Sequence, residues 1–197
     1  MRPFQRAVPK RAIPMILRPF RRSAETRSIA SLYGMIVAQA RRPVFYADFG
    51  VSDTVQGRFD LIVLHLVLLL RRLDRSGEHG RLFGQRLFDA FCRDLDGNLR
   101  EMGIGDLAVP KHMQRFGEAF YGRQAAYLAA LDSPDARNFE NALTRNILEG
   151  REERGGAGGL ALYARAAVRE LDVQKVDALM RGELALPTPE AFSDARS

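Results

Sequence analysis

Ten consecutive residues, Leu61 to Leu70 (LIVLHLVLLL), are apolar apart from one histidine, with Arg58 and Asp60 before them and Arg71 and Arg72 after. A helix that crosses a hydrocarbon core needs about 20 apolar residues, so the run is too short to span a bilayer. It reads instead as a helix that is apolar all round and therefore covered on every side by other elements. The rest of the chain must supply that cover.

The flanking segments carry helical periodicity. Ser23 is a good N-cap for a first helix whose Ile29, Leu32, Tyr33, Ile36, Val37 and Ala40 share a face, and Arg41-Arg42-Pro43 ends it. The aromatic VFYADFG stretch follows. Ser52 or Asp53 then caps the central helix, at about 53–73. A third helix is expected from about Arg81 to Met102 on Phe83, Leu87, Phe91, Leu95 and Leu99, stopped by Gly103 and Gly105. Pro110 opens a fourth with Met113, Phe116, Phe120, Tyr127 and Leu131, and Ser133-Pro134 opens a fifth with Phe139, Leu143 and Ile147. A last helical region runs from about Leu160 to Arg181, with a kink near Asp172. No stretch alternates with period two for long enough to make a strand. The expected fold is all-α, an irregular bundle of about six helices around the central one.

With 197 residues, 46% hydrophobic and 27% charged, the chain suits one domain. That domain is expected at 23–186, with a flexible linker at 151–159 (REERGGAGG) and a disordered tail at 187–197. The net charge of +6 is unevenly spread. Seven of the 30 basic residues and none of the 24 acidic ones lie in residues 1–22, which leaves 23 basic against 24 acidic and a body of net charge −1. A nearly neutral body argues against sequence-specific nucleic-acid binding, which needs a basic stripe on a folded face. The basic segment at 1–22 reads as a disordered arm, or as a start codon placed ahead of a true beginning at Met15. Its prolines at 3, 9, 14 and 19 break the amphipathic helix of a transit peptide.

Catalytic and metal signatures are sparse. One cysteine, Cys92, cannot form an internal disulfide, and it falls beside an apolar stripe with no base assigned to it. His65, His79 and His112 lie in separate segments without metal-ligand spacing, and His65, among leucines, reads as a hydrogen-bonded core histidine before a haem or metal ligand. Asp94, Asp96 and Gly97 suggest a calcium loop, but the first and twelfth loop positions would be Cys92 and Gly103. GGAGG lacks the flanking strand of a dinucleotide loop and the Lys-Ser/Thr of a P-loop. No catalytic residue, metal or cofactor is expected. The unusual features are two polar patches: Tyr46, Asp48, Asp53, Arg58 and Asp60 before the apolar run, and Arg100, Glu101, Asp106 and Lys111 at the third-to-fourth helix turn. Capping and interhelical salt bridges explain them on one reading, and a protein-binding face on the other.

Two long blocks carry these patches, YGMIVAQARRPVFYADFGVSDTVQGRFDLIVLHLVLLLRRL at 33–73 and LFDAFCRDLDGNLREMGIGDLAVPKHMQRFGEAFYGR at 87–123. With FYADFGV, GRFD and LREMGIGDL, the chain resembles the ubiquinol–cytochrome c chaperone family from about Ser23 to Leu186, and its arginine-rich composition favours a bacterial member. The resemblance implies a non-enzymatic assembly factor that binds immature cytochrome b, or another subunit of the respiratory cytochrome bc complex. It also implies a small co-chaperone, the ribosome, and a cytoplasmic location with peripheral contact at the inner face of the plasma membrane. The nine patch residues are then the expected partner-binding set. The competing expectation is a ribosome- or RNA-associated factor that works through the basic arm.

Overall fold

A computed structural model describes residues 17–150 and 156–193, with side chains from residue 24 onward. Eight α-helices follow in order: α1 (Leu17–Ala40), α2 (Val44–Ala47), α3 (Val55–Asp74), α4 (Gly77–Glu101), α5 (Val109–Leu131), α6 (Ala136–Asn146), α7 (Gly156–Val173) and α8 (Val176–Met180). A 3₁₀ turn at Pro189–Phe192 closes the described chain, and no strand occurs among the described residues. The fold is the all-α irregular bundle that the periodicity predicts.

The apolar run is the heart of it. Leu61, Val63, Leu64, Leu66, Val67, Leu68, Leu69 and Leu73 are all buried, because α3 is packed by α1, α4, α5 and α7. Burying each such side chain contributes about 1.5–3 kcal/mol, which makes α3 the main source of apolar stabilisation. No described helix is long and apolar enough to cross a membrane.

Local geometry differs from expectation where the chain folds back on itself. Thr54, rather than Ser52 or Asp53, caps α3, its hydroxyl accepting the Gly57 N–H at 3.1 Å. A β-carbon on Gly57 would lie 2.0 Å from the Ser52 carbonyl oxygen, so the preceding loop lies directly against the first turn and leaves Ser52 facing the helix backbone. At the other end of α3, the Arg72 guanidinium donates to the carbonyls of Leu171 (2.8 Å) and Gln174 (2.7 Å), closing the C-terminus of α7. α7 ends at Val173 and α8 begins at Val176, which is the break expected near Asp172.

Three expected flexible segments change character. α1 reaches back to Leu17, so Ser23 lies inside a helix and the last six residues of the expected arm are helical; residues 1–16 lie outside the described residues. Of the expected linker at 151–159, residues 151–155 lie outside the described residues, but Gly156–Gly159 form the first turn of α7, with Gly156 and Gly159 buried. The physical reason is close approach: β-carbons would sit 2.1 Å from the Phe49 carbonyl oxygen at Gly156 and 3.0 Å from the Phe192 carbonyl oxygen at Gly159. The expected disordered tail at 187–197 is docked as far as Ser193, beyond which it lies outside the described residues. Gln39 Nε2 donates to the Pro187 carbonyl at 2.9 Å, Arg42 pairs with Glu190 at 2.7 Å, and the Phe192 ring meets Tyr163 edge-on at 6.0 Å.

Candidate functional site

α3, α4 and α5 run alternately up and down, so the start of α3, the end of α4 and the start of α5 come to one end of the bundle. Aromatic contacts tie that end together: Phe59 lies 6.1 Å from Phe91 and 5.5 Å from Phe116, and Phe91 lies 5.4 Å from Phe116. Both polar patches therefore lie at the same end, although no hydrogen bond or ion pair joins them among the described residues.

The first patch splits. Asp53 and Arg58 form an exposed ion pair at 2.7 Å, close enough to Tyr46 for their charges to act on its phenol. The Tyr46 hydroxyl donates to the Ala40 carbonyl at 2.6 Å, and partial burial pushes its pKa up. Asp48 caps α2 through its backbone N–H to Val44. Asp60 departs from the expected exposed face. It is buried, accepts from Gln56 Nε2 at 2.9 Å and pairs with Arg123 of α5 at 3.0 Å. Helical phase turns position 60 inward, alongside Leu61 and Leu64, and desolvation raises its pKa despite the guanidinium beside it. Buried Arg123 Nε and Tyr127 Oη complete this polar interior without a hydrogen-bond partner among the described residues.

The second patch stays outside. Arg100 pairs with Asp96 at 2.7 Å and with Asp106, spanning the turn between α4 and α5. Glu101 and Lys111 are exposed and have no ion-pair partner among the described residues. Between them the chain turns through Gly103, at φ 82°, with the Ile104 N–H donating back to the Leu99 carbonyl. Met102 (70% exposed) and Leu107 (99%) flank this turn, and Val55 (78%) marks the start of α3.

Periodicity alone did not single out a groove farther along the same helices. Leu70 and Asp74 of α3, Arg81, Gly84, Gln85 and Phe88 of α4, and Phe120, Tyr121 and Gln124 of α5 line an open hollow of about 250 Å3. Phe88 and Phe120 rings lie 4.6 Å apart, and Tyr121 is 57% exposed beside them. The signal was available in the doubled aromatics: Phe120-Tyr121, and Phe88 one position beyond Leu87, widen each stripe beyond what a single packed face requires.

The interior offers little reactivity. His65 donates from Nδ1 to the Leu61 carbonyl (2.7 Å) and accepts at Nε2 from the Tyr163 hydroxyl (2.7 Å), which in turn accepts from Gln39 (3.0 Å). Both ring nitrogens are thus engaged, and burial pulls the pKa of His65 down to about 4, which keeps the ring neutral as the core histidine the sequence suggested. Cys92 is half-buried, and desolvation raises its thiol pKa, the opposite of an activated nucleophile. Among the described residues no group of three His, Cys, Asp or Glu side chains is placed to hold a metal ion. What the geometry provides is an apolar and aromatic surface, rimmed by charges of which Asp53, Arg58, Arg100 and Asp106 are paired.

Comparison with known proteins gives three findings. The family described as ubiquinol-cytochrome C chaperone matches residues 47–186, which takes in both polar patches except Tyr46. A curated protein of Xenopus laevis, ubiquinol-cytochrome-c reductase complex assembly factor 1, is 26% identical over 168 residues, covering 84% of this chain and 83% of that protein. The crystal structure of the Cbp3 homolog from Brucella abortus superposes with a TM-score of 0.80 at 39% identity, covering 89% of this chain and 98% of that one.

Proposed function

This chain belongs to the ubiquinol–cytochrome c chaperone family, and from that premise we propose that it holds an immature apolar segment of the cytochrome b subunit until the reductase complex is assembled. The observation that carries the reading is the α3–α4–α5 end. Exposed Val55, Met102 and Leu107 at this end, with exposed Tyr121 beside half-buried Phe88 in the groove farther along the same helices, offer apolar surface that the core around α3 leaves uncovered. Burial at about 25 cal/mol per Å2 lets such a surface hold an apolar segment. The rim of Tyr46, Asp48, Asp53, Arg58, Arg100, Glu101, Asp106 and Lys111 sets which segment is accepted. Asp60, being interior, belongs to the scaffold and not to the rim. The action is binding, without a chemical step, as befits a chaperone, and it takes place at the cytoplasmic face of the membrane as a peripheral contact. On the family resemblance we extend the proposal to a small partner protein and the ribosome.

The test is deletion of the gene in its native host, followed by a redox difference spectrum of the membranes. Loss of the b-type cytochrome signal with unchanged transcription supports the reading, and unchanged cytochrome b and reductase activity overturn it. Client capture that survives removal of residues 1–22 favours the body over the basic arm. Capture that vanishes with that truncation and weakens steeply with salt supports an RNA- or ribosome-directed role instead.

A further inference from the structure

We infer that the tip of the α4–α5 hairpin, residues 96–111, is the surface that receives the basic end of an apolar client helix; this rests on the client-holding role proposed above. The tip stands clear of the core. α4 continues ten residues past Phe91, the last buried residue of that helix, which at 1.5 Å per residue is a projection of about 15 Å. From residue 92 to residue 119 only Val109 is buried, and among the described residues no other element covers Met102 or Leu107.

Charge identifies the occupant. The residue preceding each of the two exposed apolar side chains is acidic, Glu101 before Met102 and Asp106 before Leu107. Arg100 is already held between Asp96 and Asp106, and with Lys111 counted the tip sets three carboxylates against two cations, a net charge of −1. An apolar surface beside the unpaired Glu101 carboxylate and a net negative charge suits a ligand that is apolar with positive charge at its end. Membrane helices have that composition at their cytoplasmic ends, where Lys and Arg are enriched. The same charges disfavour an anionic lipid surface.

The test uses the purified full chain and two synthetic leucine–alanine helices of about 20 residues in neutral detergent micelles, one ending in three lysines and the other in three glutamates. Fluorescence anisotropy is expected to show at least tenfold tighter binding of the lysine-ended helix. Glu101→Lys with Asp106→Lys should reverse that preference, and Met102→Ser with Leu107→Ser should weaken both helices, all at an unchanged melting temperature. Equal binding of the two helices, or discrimination indifferent to the tip variants, overturns the inference. So does a concentration-dependent dimer that Leu107→Ser abolishes, or sedimentation with anionic vesicles. Failure here is separable from failure of the client role. A deletion strain that recovers full cytochrome b when given the charge-reversed protein sinks the tip alone, whereas unchanged cytochrome b in the deletion strain sinks the role itself.

Discussion

The α3-centred body and the α4–α5 tip use the same residue types to opposite ends. At three positions of the body glycine is demanded by packing: β-carbons at Gly57, Gly80 and Gly156 would meet backbone oxygens at 2.0, 2.2 and 2.1 Å. In the tip and the helix beyond it, Gly97, Gly103, Gly105, Gly117 and Gly122 have nothing within 4 Å of the same position. Leucines divide likewise, Leu61 to Leu69 being sealed while Leu107 is bare. A helix interior that accepts glycine without a packing reason gives up about 1 kcal/mol, and this happens at Gly97 in the tip and at Gly117 and Gly122 in the helix beyond it. The body is built for stability. The tip is built with little of it, on a surface the fold itself does not need.

Substitutions can break or sharpen that contrast. Gly156→Ala is expected to cost about 4 kcal/mol or more, since backbone and not a flexible side chain occupies the space; loss of soluble folded protein on expression would show it. Leu64→Ala should lower the unfolding free energy by about 3–4 kcal/mol in urea titration, and Leu99→Ala in the half-buried tip by less than about 1 kcal/mol. Equal losses would mean that the tip is part of the core.

The pH dependence should also belong to the body. His65 titrates near 6.5 when unfolded and at about 4 when folded, so the unfolded chain takes up a proton that the folded chain refuses. Stability is therefore intact above pH 6.5 and falls by up to about 3 kcal/mol as pH drops from 6.5 to 4, and His65→Gln should flatten that part of the curve. At the small end, Gly97→Ala should raise stability by about 0.5–1 kcal/mol, and thermal melts that show a loss instead would reveal packing at the tip.

Much of this was readable from local pattern. The ten-residue run fixed a central helix to within a residue or two at each end, Pro110 lies in the first turn of α5, and Gly103 stops α4 as a left-handed residue. The polar residues were harder. Asp53 and Asp60 are chemically alike and seven positions apart, yet one pairs with Arg58 in solvent and the other with Arg123 in the interior, 63 residues away in the chain. No local rule chooses between them. The docked C-terminal segment was misread for a related reason: its composition is that of a tail, and its anchors, Gln39, Arg42 and Tyr163, lie far back in the sequence.

By itself, then, the amino-acid order determined which segments are helical, which helix is central, and which family motifs the chain carries, because periodicity, caps and apolar runs act over a few residues. Only the tertiary structure decided that Gly156–Gly159 open a close-packed helix and that Asp60 is interior. It alone left Met102 and Leu107 beyond the reach of the core. Those outcomes depend on what lies opposite each residue in space, and a glycine or a carboxylate carries no local record of its distant neighbour.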